Sequence, residues 1–326
     1  MKLKNHPTFF STRKVIIACC AFVTLLTFLV MVLHAREVMK THDSFGFISR
    51  KDAILLQRKP SDSITIRVDA TKSKTEIWEF VAHYSTCSSV YAIQIVARTS
   101  ILEYDLKSLF SRVKGIYEFG NVEIYLYGQS PSEIRTEGIF LLDSDVFVSC
   151  EELKFTVNVW LSSRDSVVGY YPRLIQRNIN TNGIISYRYL GWPYVWWNGI
   201  YSLMLPAAAL MHRKYITSMN GRTQLAEDLR RALQTKSHCS DVAVALWTIA
   251  QGAPPPIWIS AVIFNRSPSK VQNGIGFTLE KVSGYPNVNS NVKRTECLNY
   301  LIPILNIQTI SYSYHKASMA KNELFW

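Results

Sequence analysis

From residue 64 onward the chain alternates two kinds of hydrophobic spacing. "ITIRV" (64–68), "YAIQIVA" (91–97), "VEIYLY" (122–127) and "GIFLL" (138–142) are short apolar or alternating runs that predict strands. Between them Ile77, Phe80, Val81 and Tyr84 recur at helical spacing, as do Leu106, Leu109, Phe110 and Val113. "CEELKFTVNVWL" (150–161) predicts a further helix with acids in its first turn, where the helix dipole favours them. This strand–helix alternation predicts an α/β domain, with a mostly parallel sheet covered by helices on both faces. The second half is less regular. "VVGYYPR" (167–173) predicts a strand running into a turn, and 187–201 is dense in aromatics. "LPAAALMHRKYI" (205–216) predicts a helix with Pro206 in its first turn. Helices are also expected over 239–252, ended by Gly252, and over 295–305, bent or broken at Pro303. A strand is expected within 254–263.

One run differs from all of these. Residues 15–33 are nineteen in a row without a charge. As a helix they would cover about 28 Å, close to one hydrocarbon core. Lys2, Lys4, Arg13 and Lys14 precede the run, and only Arg36 and Lys40 follow it closely. That asymmetry predicts a cytosolic tail (1–14), a single transmembrane anchor (15–33), a polar stem (34–61) and a lumenal domain (62–326). The expected setting is a Golgi or endoplasmic reticulum membrane, in type II orientation. A cleaved signal peptide is the competing reading, although the run is long for one and Leu33-His34-Ala35 is a poor cleavage site. Beyond the anchor, Cys87, Cys150, Cys239 and Cys297 permit three full pairings, and their spacing does not choose among them. Their spacing does not suggest structural zinc. One glycosylation sequon, Asn265-Arg266-Ser267, is followed directly by Pro268.

Charge narrows the partners. The chain carries 36 basic and 24 acidic residues, a net charge of +12, spread without a dense run or an RNA-binding signature. This pattern argues against a nucleic-acid partner. It suits a surface that attracts anionic lipid heads or nucleotide phosphates.

The candidate chemistry lies in "GIFLLDSDVFVSC" (138–150), where an apolar strand runs into Asp143 and Asp145. Strand side chains alternate, so acids two apart can project together from the strand's carboxyl end. Two oxygen ligands there suit Mn2+ or Mg2+. Such an ion would neutralise a diphosphate leaving group. A polar strand-to-helix turn with an N-cap would use the same residues.

The segments "DSDVFVSCEELKFTVNVW", "VVGYYPR", "YSLMLPAAALMHRKYI", "CSDVAVAL", "VKRTECLN" and "ELFW" occur in one order. In that order the chain resembles the exostosin-type glycosyltransferases of family 64, over roughly residues 62 to 326. "VAHYSTCS" (81–88) and "WPYVWWNGIYSLML" (192–205) look most like the family's plant branch. The resemblance implies a GT-A fold and a metal-dependent transfer that retains anomeric configuration. The donor would be a nucleotide sugar, GDP-mannose or a UDP-N-acetylhexosamine, and the acceptor a glycan or glycolipid such as a sphingolipid. Asp143 and Asp145 match the outer acids of the family's Asp-Asp-Asp motif, with Asp145 the direct metal ligand. Asp241 matches the acid beside the transferred sugar, and Arg294 the basic residue facing the diphosphate. Cys239 and Cys297 match a bonded pair, which would pin Asp241 and Arg294 near each other. Lys72 flanks the position of a donor-binding arginine, and part of the cluster Trp192, Trp196 and Trp197, namely Trp196 and Trp197, would line the acceptor cleft. Read singly, Asp241 could be a helix N-terminal acid and Arg294 a solvated charge. The cysteines could be free and buried, and the tryptophans core.

The chain also departs from the family. Ser144 replaces the central acid, Ser240 the acid before Asp241, and Ser73 the loop arginine. The family's Asn-Asn-Arg segment is missing between Tyr127 and Gly138. These losses predict weaker contacts to base and ribose. Two classes therefore follow: an active transferase, or a GT-A-like pseudoenzyme that serves as a binding partner or scaffold.

Overall fold

A computed structural model describes residues 17, 19–33, 60–70, 74–97, 99–113, 121–126, 134–179, 181–260 and 288–319. The chain forms two units, Met1–Gly46 with Ala320–Trp326, and Phe47–Met319. In the first unit, residues 19–33 form an apolar helix with exposed side chains. No helix among the described residues is long and apolar enough to cross a membrane. Residues 15, 16 and 18 of the expected anchor, nearly all of the stem, and the sequon lie outside the described residues.

The second unit is built on an eight-stranded sheet. Its strands are β1 (Ile64–Ala70), β2 (Val90–Ala97), β3 (Asn121–Leu126), β4 (Gly138–Asp143), β5 (Val168–Gly169), β9 (Ala208–His212), β10 (Ile257–Ser260) and β11 (Lys316–Ser318). They lie in the order β11-β10-β5-β9-β4-β1-β2-β3. Every neighbouring pair is parallel except the two that β9 makes with β4 and β5. The expectation of a mostly parallel α/β sheet holds. Helices α1 (Lys74–Ser85), α2 (Ser100–Val113) and α3 (Cys150–Ser162) fall where hydrophobic spacing predicts them.

The helix expected over 205–216 is corrected. Residues 208–212 form the antiparallel strand β9, and the helix α5 (Arg213–Met219) begins only after it. The run Ala208, Ala209, Leu210 and Met211 is at most 1% exposed, because the strand is enclosed within the sheet. A continuously apolar strand lacks the alternation that separates strand from helix in sequence.

A smaller antiparallel sheet, in the order β7-β6-β8, is formed by β6 (Pro172–Ile179), β7 (Ile185–Leu190) and β8 (Leu203–Met204). The turn expected at 172–173 is instead the start of β6, which pairs with β7 from Leu174 to Ile179. Helix α4 (Trp192–Asn198) follows and packs on β6 and β7. Helices α6 (Gln224–Thr235) and α7 (Ser240–Ala250) lead to the last helix, α8 (Val288–Ile304). Pro303 is the residue before the end of α8, so it marks a terminus and not a mid-helix bend.

Candidate active site

The two acids stand at the carboxyl end of β4, the edge where parallel sheets bind ligands. The strand stops at Asp143, so Asp145 projects from the following turn and not from the strand. Val146 N–H closes that turn on Asp143 O at 3.0 Å, and Asp143 N–H donates to Ala207 O at 2.9 Å. Ser144 is buried, Asp143 exposed and Asp145 half-buried. Helix α1 pins what comes next. The Tyr84 hydroxyl donates to Val146 O (3.0 Å) and accepts from Val148 N–H (2.9 Å). His83 donates from Nε2 to Val148 O at 2.8 Å. A Cys87–Cys150 disulfide, with Cα atoms 5.0 Å apart, ties the end of α1 to the start of α3. Ser149 caps α3 by accepting from Glu152 N–H. The turn that carries the acids is thus held on both sides before any ligand arrives. Asp69 stands beside Asp143 in the β1–β4 register and adds a third carboxylate to the same edge.

Asp241 and Arg294 meet. Asp241 lies in the first turn of α7, where its Oδ1 accepts from Val242 N–H at 2.7 Å. Its Oδ2 accepts from Arg294 Nε at 2.9 Å and from Nη2 at 2.7 Å. Asp241 is therefore a first-turn acid and an ion-pair partner at once, and Arg294 is not a solvated charge. The pair is seated by the Cys239–Cys297 disulfide, Cα atoms 5.5 Å apart, which joins the residue before α7 to α8. Helix α8 is also fastened to the edge of β7. Asn299 accepts from Tyr187 N–H at 2.9 Å and donates to Tyr187 O at 2.7 Å, while Thr295 Oγ1 accepts from Tyr189 N–H at 3.0 Å. Arg294 lies over the Tyr189 ring, 5.4 Å from its centroid. Burial works against the guanidinium's charge, but Tyr189, Asp241 and Asp143 outweigh it and hold the group above its ordinary range.

Three residues that sequence reasoning did not single out connect the two groups of acids. Burial pushes the Tyr171 hydroxyl well up, and the fields of Asp143 and Asp145 push it further. Burial raises Tyr189 too, opposed by Arg173 and Arg294. Arg173 is 3% exposed, donates to Pro172 O at 2.8 Å, and lies 6.0 Å from the Tyr171 ring centroid. It forms no ion pair among the described residues. A buried cation thus stands beside tyrosines that feel both sets of carboxylates. The signal was present in "VVGYYPR", where an arginine closes an apolar segment.

Of the other expected site residues, Lys72 lies outside the described residues. Trp196 and Trp197 are 62% and 80% exposed on α4, so they are not core. Trp192 stacks on Trp196 with centroids 6.2 Å apart. Asp143, Asp145, Asp241 and Arg294 thus share one electrostatic neighbourhood. It offers hard oxygen ligands on one side and a fixed cation on the other.

The sequence profile described as the glycosyl transferase family 64 domain matches residues 63–323. Glycosylinositol phosphorylceramide mannosyl transferase 1 of Arabidopsis thaliana is 26% identical over 339 residues, covering 100% of this chain and 93% of that protein. Exostosin-like 2 of Mus musculus is 24% identical over 185 residues, covering 56% of this chain and 52% of that protein. Among solved structures, the mannosyltransferase PcManGT of Pyrobaculum calidifontis aligns at a TM-score of 0.33 and 10% identity, over 66% of this chain and 74% of that one.

Proposed function

The chain belongs to glycosyl transferase family 64, and from that membership we propose a retaining sugar transfer from a nucleotide-diphosphate sugar to a sphingolipid headgroup. The name of the Arabidopsis relative supports mannose, carried as GDP-mannose, and a glycosylinositol phosphorylceramide acceptor. A UDP-N-acetylhexosamine is the alternative donor. The parallel sheet with its acids at the carboxyl edge is consistent with the GT-A fold. The proposed setting is a Golgi or endoplasmic reticulum membrane, with residues 15–33 as the anchor.

The observation that carries this reading is the Asp241–Arg294 pair, locked by a disulfide within the field of Asp143. Arg294 meets the donor's diphosphate, and Asp241 fixes the plane of its guanidinium from beside the transferred sugar. The buried Arg173 adds positive charge to the same floor. Lys72 and the exposed Trp196 and Trp197 contact substrate, the indoles by stacking on sugar rings. Asp145, supported by Asp143, holds Mn2+ or Mg2+. The two carboxylates fit such an ion, because both sit on one pinned turn and both act on the Tyr171 hydroxyl. When bound, the ion supplies charge neutralisation to the leaving diphosphate.

Ser144 and Ser240, where the family carries acids, favour the scaffold reading. One experiment separates the two. The full chain, purified in detergent, is offered GDP-mannose, UDP-N-acetylglucosamine and UDP-N-acetylgalactosamine, with and without Mn2+. A glycosylinositol phosphorylceramide acceptor is then added. Mn2+-dependent binding and transfer of mannose is expected. A folded chain that binds no donor overturns the proposal in favour of a scaffold.

A further inference from the structure

The β6–β7 hairpin extends a core-facing row of side chains past the end of the core. Antiparallel register sets Ile175 opposite Tyr189, Arg177 opposite Tyr187 and Ile179 opposite Ile185. At the base of this row Ile175 and Tyr189 are buried at 0% and 2% exposure. At its tip Ile179, Ile184 and Ile185 are 62%, 62% and 43% exposed. Helix α4, packed on the same hairpin, carries the exposed Tyr194, Trp196 and Trp197. Exposed apolar side chains clustered at a hairpin tip mark an interaction surface.

Charge identifies the partner. The chain has no carboxylate side chain between Asp165 and Glu227, while Arg173, Arg177, Arg188, Arg213, Lys214 and Arg222 lie in that interval. Arg177 and Arg188 are exposed on the hairpin, and no carboxylate among the described residues pairs with either. Isoleucines at a hairpin tip, with exposed arginines that no carboxylate among the described residues pairs, match the chemistry of an anionic membrane interface.

We infer that the β6–β7 hairpin docks on a lipid bilayer surface carrying anionic headgroups. The isoleucine tip enters the interface, and Arg177 and Arg188 meet lipid phosphates. Tyr189 and Ile185 are four residues apart in β7, and a strand rises about 3.3 Å per residue. Docking would therefore hold the site about 13 Å above the interface, within reach of a sugar-bearing headgroup. The docking surface rests on the hairpin's exposure and charge and does not depend on which donor is used.

The test uses the full chain with Cys19→Ser and Cys20→Ser, which removes the free thiols. An environment-sensitive dye is attached through Ile184→Cys, or through Thr235→Cys on the exposed end of α6 as a control. Each protein is placed in detergent, in nanodiscs of phosphatidylcholine, and in nanodiscs of phosphatidylcholine with phosphatidylserine. The dye at 184 should blue-shift and brighten at least about twofold in the anionic nanodiscs, as expected for transfer out of water. The dye at 235 should not change. Arg177→Glu and Ile179→Asp should each remove most of the response. Equal emission from position 184 in all three media overturns the inference. So does a shift that follows protein concentration whatever the lipid, which would assign the face to a second copy of the chain. Donor binding is measured on the same samples. Docking without donor binding defeats only the transferase reading, and donor binding without docking defeats only this one.

Discussion

The two disulfides offer a controlled comparison, because they close loops of nearly equal length but hold different things. Cys239–Cys297 spans 58 positions and Cys87–Cys150 spans 63. Loop-closure entropy gives about 4 kcal/mol of stabilisation for either, since the logarithm barely separates the two lengths. Replacing each pair by serine should therefore lower stability by similar amounts. The effect on catalysis should differ. After loss of Cys87–Cys150 the turn bearing Asp145 still has the two Tyr84 hydrogen bonds and the His83 bond. After loss of Cys239–Cys297, Arg294 depends on the Asp241 pair itself and on Asn299 and Thr295 at the β7 edge. A displacement that costs about 1.4 kcal/mol of transition-state stabilisation lowers the rate about tenfold. Cys239→Ser/Cys297→Ser should thus lose at least about tenfold more kcat/KM than Cys87→Ser/Cys150→Ser at a matched drop in denaturation midpoint. The assays are chemical denaturation and initial-rate sugar transfer on the same preparations. Equal losses of activity, or full activity in the first variant, would refute the view that this bond seats the catalytic pair.

Asp145→Asn keeps the shape of the turn and removes its charge, so transfer should fall at least about a hundredfold, or about 2.7 kcal/mol, with an unchanged circular dichroism spectrum. Equal Mn2+-dependent turnover in that variant would mean the metal assignment is wrong. Burial lowers the His83 pKa from 6.5 to about 4, against the opposing hydrogen bond to Val148. The unfolded chain therefore takes up the proton first. Stability is complete above pH 6.5 and is lost as the pH falls toward 4, by about 3 kcal/mol from this group. Denaturation midpoints at pH 7 and 4.5 should show most of that loss in wild type and a smaller one in His83→Gln, and an equal loss in the two would count against it. In Gly169→Ala the added Cβ would lie 2.7 Å from Ala208 O and 2.8 Å from Met204 Cγ. Because the first contact is backbone in the middle of the sheet, the variant should lose about 1–3 kcal/mol. An unchanged melting temperature would show that β5 and β9 can separate at no cost.

The first half of the domain was legible because its strands and helices keep distinct periods and are separated by short polar breaks. β9 was not, since Ala208 to Met211 are buried on both faces and carry no alternation. The candidate acids were visible as residues, and their spacing grouped Asp143 with Asp145. Asp241 and Arg294 are 53 positions apart, so no spacing joins them; the family resemblance, through its bonded cysteines, anticipated the meeting that the fold makes. The Cys87–Cys150 bond could not be chosen from spacing, and it follows from α1 and α3 meeting beside β4. Tyr171, Arg173 and Tyr189 escaped notice because each type is ordinary in a strand. Their meaning comes from burial, which a sequence does not print. The exposure of Trp196 and Trp197 was equally hidden, since an aromatic cluster reads first as core.

The fastening of α8 to β7 has a consequence for how the molecule behaves among its copies. β7 is the outer strand of the small sheet, and a bare outer strand invites pairing with another chain. Asn299 presents one donor and one acceptor to the backbone of Tyr187, as the peptide group of a neighbouring strand would, and Thr295 occupies Tyr189 N–H. The helix thereby takes up hydrogen-bonding positions through which sheets join edge to edge. The element that presents Arg294 to the site also guards the fold against self-association, and damage to α8 would reach solubility and chemistry together.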